Sequence, residues 1–300
     1  MHLLIRSTFI NLFVLAACIS ATAQPTTFQV VSKTIEKQLP YQAGVEVNIE
    51  GEKAEIIVES WEENEVKVII ELIAKHPDRT VAERDLEAIK FGIDQHGEMI
   101  YFRNYISPDN GQPQPEAQLK ALYTVYMPND CPLYLKNHFG EATVSNLTSL
   151  LRLQAEFTNI LLNDLHGTTS VRTRFGDVTG SNLSGDVDIN ARRSDITLSD
   201  ISGNFDITSE YGIVKLFTDR SSLNLNIDAK RSDVYFFDPQ PSIYGYTLTA
   251  HYGTITAPTD LKFNYLENNS SITKAVFQPT NELASISIKI SFGDIIIRNP

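Results

Sequence analysis

The feature of this sequence that most constrains its fold is a phrase repeated eight times between residues 139 and 293. Each copy begins with a bulky residue, continues with a small and usually a polar residue, and ends in an apolar segment. The first five copies are spaced by 18 residues, and the later intervals are 20, 21 and 40 residues. Self-similarity at a fixed period is typical of solenoids, in which each repeat packs only on its neighbours. The bulky residues, called anchors below, are Phe139, Phe157, Phe175, Arg193, Tyr211, Arg231, Tyr252 and Phe292.

Apolar residues recur at four positions around the anchors. They stand six and four residues before the anchor and three and five residues after it, as Val187, Ile189, Ile196 and Leu198 do around Arg193. Because alternation with a period of two predicts strands with one buried face, each copy holds two strands joined by a turn. The sequence therefore predicts an all-β chain that forms a single-stranded β-solenoid, or β-helix, of roughly 18–21-residue coils.

Two features of the repeat leave alternatives open. The anchor precedes glycine in five copies and threonine or serine in three, so the unit is either one 18-residue coil or a 36-residue pair of hairpins. We favour the coil, because the apolar columns persist through both kinds of turn, and an antiparallel meander is the rival. The 40-residue interval between Tyr252 and Phe292 is wide enough to hold one degenerate copy near Ser270–Ile272.

The N-terminal segment 1–23 has the pattern of a secretory signal peptide. An apolar run follows one basic residue, and the small residues Ala21-Thr22-Ala23 stand directly before Gln24. The run is too short to be retained as a transmembrane span, and no later segment is long and apolar enough to be one. We therefore expect cleavage before Gln24 and export of the rest of the chain.

A second signal overlaps the first. The sequence Leu15-Ala16-Ala17-Cys18 fits the bacterial lipobox, in which Cys18 is lipidated and becomes the mature N-terminus. We favour cleavage before Gln24, and lipidation at Cys18 is the alternative. In both cases the expected location is the periplasm, the outer membrane or the cell surface.

Residues 24–128, which precede the repeats, are predicted to form a cap of strands and one short helix, and residues 129–300 the coils. Thr80 and Glu83 form a candidate capping box for a helix that runs to about Phe91. A polar loop with three prolines lies at Asn104–Glu116. A cap would cover the open strand edge at one end of a solenoid. The clearest predicted strands of the cap are Val45–Ile49, Ala54–Val58 and Val66–Leu72.

Several of these segments resemble a known family. The runs Tyr123–Pro128 and Leu133–Gly140, the Gly-Asp-apolar coils that follow, and the strand–Gly–strand–Trp61–strand segment are similar to the bacterial putative-adhesin β-solenoid family. The resemblance covers roughly residues 40–299. It implies an exported β-solenoid of the kind common in Bacteroidetes and related to head-domain adhesins. The family has no assigned biochemical function, so the resemblance implies no catalytic residues.

Composition and motifs exclude several functions. With 25 basic and 37 acidic residues, the chain is too acidic for a nucleic-acid or anionic-membrane partner. The six histidines have no metal-ligand spacing, and no phosphate loop, nucleotide fingerprint or nucleophile motif is present, so we expect no metal and no cofactor. Aspartates in one turn column could hold Ca²⁺ weakly. Cys131 is expected to be half-buried and inert.

Catalysis is the runner-up function. Many parallel β-helices cleave polysaccharides with carboxylates on one face. Asp177 and Asp195 stand two residues after consecutive anchors, which would place them about 5 Å apart, a separation that retaining glycosidases use. Arg174, Arg192 and Arg193 lie nearby in sequence. Because aspartate after glycine or serine is usually a turn residue, we predict that the protein is not an enzyme.

The predicted function is therefore a binding surface: an exported adhesin or scaffold for an envelope glycan or protein. Its aromatic anchors either form an exposed ladder for a partner or pack inward at the corner, and the inward arrangement is the commoner one. The last predicted strand, Ile286–Ile297, is expected to leave an apolar edge that accepts a partner strand. The candidate binding residues are Phe139, Phe157, Phe175, Tyr211, Tyr252 and Phe292.

Overall fold

The computed structural model describes residues 27–280 and 283–299, so the predicted signal peptide and Cys18 lie outside the described residues. Within those ranges 19 strands are hydrogen-bonded into one large sheet that is not closed. The prediction of an all-β chain is confirmed. The described chain contains no helix with the length and apolar character that a membrane crossing requires.

The strands before the first anchor form the N-terminal part of this sheet. In β3 and β6 the side chains alternate between buried and partly exposed, as the period of two predicts. They are β1 (Gln29–Pro40), β2 (Glu46–Trp61), β3 (Glu65–His76), β4 (Ile89–His96), β5 (Met99–Ile106) and β6 (Gln118–Pro128), with helix α1 (Arg79–Leu86) between β3 and β4.

The later strands carry the repeats. A 3-10 turn at Pro241–Ile243 precedes the fourteenth strand. The strands are β7 (Leu133–Ser145), β8 (Leu151–Arg174), β9 (Val178–Arg192), β10 (Ile196–Glu210), β11 (Ile213–Phe217), β12 (Leu223–Lys230), β13 (Asp233–Phe237), β14 (Gly245–His251), β15 (Ile255–Thr256), β16 (Asn264–Asn268), β17 (Ile272–Phe277), β18 (Ser285–Ser291) and β19 (Ile295–Arg298).

Neighbouring repeats pair in parallel, one repeat apart. Leu133 pairs with Leu151 in the β7–β8 ladder, and the β8–β9 and β9–β10 ladders keep the same 18-residue offset. The offset rises to 20 between β10 and β12, which matches the longer interval in the sequence. The pairing unit is therefore the single 18-residue repeat, and the antiparallel meander is wrong for these strands.

The apolar columns form the core. Ile189, Ile196 and Leu198 are fully buried, and their equivalents in the neighbouring repeats lie directly above and below them. Full burial of one such aliphatic side chain contributes about 1.5–3 kcal/mol. The columns therefore hold successive repeats together along the whole stack.

The order of the last repeats differs from their order in the sequence. Strand β18 pairs in parallel with β12 on one side and with β14 on the other, and β19 lies in the same way between β13 and β15. The predicted exposed edge at Ile286–Ile297 is therefore wrong. The chain first forms the outer layer at β14 and then returns to fill the layer beneath it, so Ile286 and Ile288 are fully buried.

An antiparallel hairpin occupies the long interval between the last two anchors. Strands β16 and β17 pair with each other, and β17 pairs antiparallel with β14. The degenerate copy predicted near Ser270–Ile272 is therefore absent. The hairpin covers the outer side of β14 and leaves β16 as the outermost strand at this end.

A ninth repeat lies within the region predicted as a cap. Strand β2 pairs in parallel with β7, and this register places Lys53 beside Phe139. Lys53 has the left-handed backbone of an anchor, with φ of 51°. The four apolar positions around it are buried as in the other repeats: Val47, Ile49, Ile56 and Val58.

The remaining N-terminal strands cover this repeat. Strands β5 and β6 pair in parallel with β2, whereas β4 pairs antiparallel with β5, and β3 and β1 follow β6 in antiparallel order. The predicted capping box is wrong, because the side chain of Asp78 accepts the hydrogen bond from the Thr80 amide and Glu83 pairs with Arg79. The helix ends at Leu86, and Phe91 belongs to β4.

Candidate functional site

All eight anchors share one unusual backbone conformation. Their φ angles lie between 51° and 64°, the left-handed region that bulky residues rarely occupy. Such a residue costs about 1 kcal/mol or more and persists only where its surroundings compensate. The anchors therefore mark a sharp corner that every repeat turns in the same way.

The aromatic anchors stack on one another along this corner. The ring centroids of Phe139 and Phe157 are 4.9 Å apart, and those of Phe157 and Phe175 are 4.8 Å apart, with interplanar angles of 11° and 4°. At the other end Tyr252 and Phe292 stack at 5.2 Å. The spacing is that of hydrogen-bonded neighbouring strands, so the strand ladders hold the rings in contact.

Two arginine anchors make the stack continuous. The Arg193 guanidinium lies 5.4 Å from the ring centroid of Phe175 and 5.7 Å from that of Tyr211. The Arg231 guanidinium lies 5.1 Å from the Tyr211 ring and 5.9 Å from the Phe292 ring, and it also donates to the Tyr211 hydroxyl. These distances are those of cation–π contacts. We call the eight anchors, in this spatial order, the corner ladder.

The corner ladder faces solvent. The exposed fraction of its aromatic side chains runs from 36% at Phe175 to 61% at Tyr252, so the rings do not pack inward. Each internal ring face is nevertheless covered by its neighbours, and what solvent meets is a row of ring edges with two guanidinium groups among them. Ring edges carry the positive end of the aromatic quadrupole.

We expect glycine to be tolerated better than alanine at a ladder position, the reverse of the usual order in a strand. Phe157→Ala removes stacking on two sides and should lower the free energy of unfolding by about 1–2 kcal/mol. Phe157→Gly loses the same contacts but relieves the left-handed backbone, so it should be the more stable of the two variants. Chemical denaturation of the two variants measures the difference in their free energies of unfolding. If Phe157→Gly were no more stable than Phe157→Ala, the backbone strain at this position would be contradicted.

The residue after each anchor is glycine, serine or threonine. A Cβ atom at Gly176 would lie 2.0 Å from the carbonyl oxygen of Thr158 in the neighbouring repeat. On the other side of Gly176, the Ser194 hydroxyl accepts a hydrogen bond from the Gly176 amide at 3.1 Å. Adjacent repeats therefore approach closely at this corner, which explains why only glycine, serine or threonine follows an anchor.

The carboxylates proposed for catalysis are bound to the backbone. Asp177 accepts a hydrogen bond from the Asp195 amide at 2.9 Å, and Asp195 accepts one from the Ile213 amide at 2.8 Å. The Arg174 and Arg192 side chains bind Glu156 and Glu210. The aspartates are thus neighbours, as predicted, and each carboxylate accepts a hydrogen bond that joins its turn to the next.

No candidate metal centre occurs in residues 27–280 and 283–299. In that part of the chain, no three histidine, cysteine, aspartate or glutamate side chains are grouped closely enough to bind a metal ion. The aspartates of the turn column are arranged in single file, each beside a backbone amide.

Cys131 is fully buried, and not half-buried as the sequence suggested. Burial raises the pKa of its thiol from 9.0 to about 12. Because the folded protein favours the neutral thiol, this group's contribution to stability is complete below pH 9.0 and is lost as the pH rises towards 12.

The native thiol should therefore resist alkylation. At pH 8 we expect the peptide containing Cys131 to remain unlabelled in folded protein and to react fully after denaturation, since the thiolate is the nucleophile. Mass spectrometry of the digested protein measures the label. Rapid labelling of the folded protein would show that the thiol is accessible and would contradict its burial.

Two solved structures resemble this chain weakly. No protein-family model matches the chain, and no curated protein matches it. A solved structure of a putative cell adhesion protein from Clostridium sporogenes ATCC 15579 is 12% identical, with a TM-score of 0.24, over 89% of this chain and 100% of that one. A putative adhesin from Bacteroides fragilis NCTC 9343 is 14% identical, with a TM-score of 0.38, over 89% of this chain and 97% of that one. Similarities this low do not indicate a function.

Proposed function

We propose that the protein is an exported, non-catalytic component of the cell envelope, an adhesin or scaffold that binds a glycan or protein partner. In this proposal the parallel repeats form a β-solenoid whose N-terminal strands and helix act as its cap. The solenoid is a rigid support, and the corner ladder is the binding surface. The secretory pattern in residues 1–23 supports export to the periplasm, the outer membrane or the cell surface.

The observation that carries the proposal is the exposure of the corner ladder. Six aromatic side chains, each more than a third exposed, lie in one row in a left-handed conformation that costs stability. Aromatic residues and arginine are enriched at protein interfaces, and tyrosine and arginine are among the residues that most often dominate the binding energy. Fixed stacking also lowers the side-chain entropy that binding would otherwise cost.

The chemistry of the ladder indicates the kind of group it would contact. Ring edges and the guanidinium groups of Arg193 and Arg231 both present positive potential to solvent. The complementary partner surface is rich in oxygen, such as carboxylates, hydroxyl groups or carbonyls. Both glycans and protein main chains provide such a surface.

The test is retention of polysaccharides and purified envelope proteins on the immobilised protein. The double variant Arg193→Gln, Arg231→Gln removes the cations of the ladder, and we expect it to lower the affinity for the retained partner at least about tenfold. Arg298→Gln is the control, because it removes one exposed arginine outside the ladder. Equal retention by the ladder variant and the control would contradict the proposed surface.

A further inference from the structure

A concave notch lies at the N-terminal end of the corner ladder. Its volume is about 430 Å³, which is within the range of small-molecule sites and near its lower end. Four different strands contribute to its walls, and they come from both the repeats and the N-terminal region. The larger side chains that line it include Lys53, Glu55, Ile73, Lys75, Lys120 and Phe139.

The notch exists because not every strand turns at the corner. Strand β2 bends at Lys53, whereas β6 contains no left-handed residue and continues through Gln118. There it is paired with the end of β3, in the register Ile73 with Lys120 and Lys75 with Gln118. The paired ends of β3 and β6 therefore project beyond the corner and form one wall.

The charge of the notch is opposite to that of the whole protein. Lys120 pairs with Glu55, but Lys53 and Lys75 form no ion pair within the part of the chain that the structure describes. Both of these lysines are exposed at the rim. Two uncompensated cations in a chain with a net charge of −12 select for an anionic ligand.

The notch also contains the terminal aromatic ring of the ladder, Phe139. Among the described rings, the one stacked parallel to Phe139 is Phe157, which lies on the side away from Lys53, and the His138 ring contacts Phe139 in a tilted arrangement with centroids 4.1 Å apart. The Phe139 face towards Lys53 therefore has no stacked ring, unlike the internal faces of the ladder. On the opposite wall, the partly exposed Ile73 adds a second apolar side chain.

We propose that the notch binds one acidic sugar residue of a glycan. Its carboxylate is neutralised by Lys53 and Lys75, and its C–H face packs on the ring of Phe139. This assignment rests on the proposed function and names the ligand class that the binding module takes. A neutral sugar would leave both lysines without a counter-charge, and an anion without an apolar face would leave Phe139 uncovered.

Calorimetric titration with an oligouronate and with its carboxyl-reduced counterpart tests the assignment on purified protein. We expect the oligouronate to bind at least about tenfold more tightly than the reduced sugar. Lys53→Gln and Lys75→Gln should each weaken oligouronate binding by about tenfold and remove most of the preference. Lys215→Gln, which removes an exposed lysine distant from the notch in sequence, should change neither affinity.

A third variant separates the apolar contact from the charges. Phe139→Leu keeps the lysines and the apolar character but removes the flat face, and we expect it to weaken both sugars by a similar factor. Thermal melting of each variant establishes that it is folded. Equal binding of the two sugars, or unchanged binding in the two lysine variants, would overturn the assignment.

Comparing the ladder arginine variant with the notch lysine variants tests the notch assignment separately from the proposed function. If the arginine variant of the ladder loses its partner while the lysine variants bind the oligouronate as wild type does, the notch assignment fails and the proposed function stands. If neither the panel nor the oligouronate is retained, both fail. Lysine-dependent binding of the oligouronate without any effect of the ladder arginines supports the notch and locates the binding surface there.

Discussion

Replacement of Gly212 by alanine is expected to lower the free energy of unfolding by roughly 3 kcal/mol. A Cβ atom at this position would lie 2.0 Å from the backbone carbonyl oxygen of Ser194, in the neighbouring repeat. Since φ of Gly212 is not in the left-handed region, the cost comes from close approach and not from backbone strain. The repeats would have to separate to accommodate one methyl group. Chemical denaturation of the wild-type and variant proteins measures the loss.

Gly92→Ala is the matched control. The nearest atom to a Cβ there is the Arg103 Nε at 3.0 Å, the end of a flexible side chain that can move. We expect a change of about 0.5 kcal/mol or less for this variant. If Gly212→Ala lowered the free energy of unfolding no more than Gly92→Ala does, the close approach of adjacent repeats at the corner would be contradicted.

A chain ending at Thr280 should lose the structure of its outer layer. It lacks β18 and β19, which lie between the layer of β12 and β13 and the layer of β14 and β15. Without them, β14 to β17 have no parallel partner strand, and we expect the amides of Gly245–Phe277 to exchange rapidly. Protection should remain in β7 to β11, because local unfolding follows cooperative structural units. Hydrogen–deuterium exchange followed by mass spectrometry measures both regions.

A chain that begins after Pro40 is the control for this truncation. It lacks β1, which pairs with β3 at the opposite end of the sheet. Protection of Gly245–His251 should therefore equal that of the wild-type protein. Unchanged protection of the same segment in the chain ending at Thr280 would instead mean that β14 stacks directly on β12, in sequence order.

The apolar columns made the strands predictable but not the order in which they stack. Ile286 and Tyr246 both stand six residues before an anchor, and both are apolar, so either could lie beside Leu225. The choice depends on the whole chain: the hairpin of β16 and β17 covers the far side of β14 and leaves the inner layer for the last strands. The local pattern of apolar residues does not indicate the order in which these strands stack.

The ninth repeat was not identified from the sequence for a different reason. Val47, Ile49, Ile56 and Val58 stand at the same offsets from Lys53 as the columns do from the other anchors. The spacing of the apolar columns was visible in the sequence. It was missed because a lysine stands at the anchor position and four further strands separate this repeat from the next. A search by column spacing, instead of by the aromatic–glycine pair, would have found it.

The residues of the corner ladder could be predicted from the sequence, but their geometry could not. The aromatic anchors were identified from the sequence, but their orientation was left open, because a bulky residue at a turn packs inward more often than it faces solvent. The left-handed φ of Phe157 and its neighbours directs the rings outwards, and strand spacing then stacks them. The notch was not predicted, because Lys53, Lys75 and Phe139 are distant in sequence and line the same cavity only through the pairing of β3 with β6, of β6 with β2 and of β2 with β7.

The most direct test of the proposed function measures binding and cleavage together. Immobilised protein is incubated with a panel of acidic and neutral polysaccharides, and the retained material and the newly released reducing ends are measured in the same sample. The proposed function, together with the acidic-sugar site of the notch, predicts that an acidic polysaccharide is retained and that no reducing ends are released, in the wild-type protein and in the Asp177→Asn, Asp195→Asn variant alike. Release of reducing ends by the wild-type protein, and its loss in that variant, would contradict it and identify the aspartate ladder as catalytic.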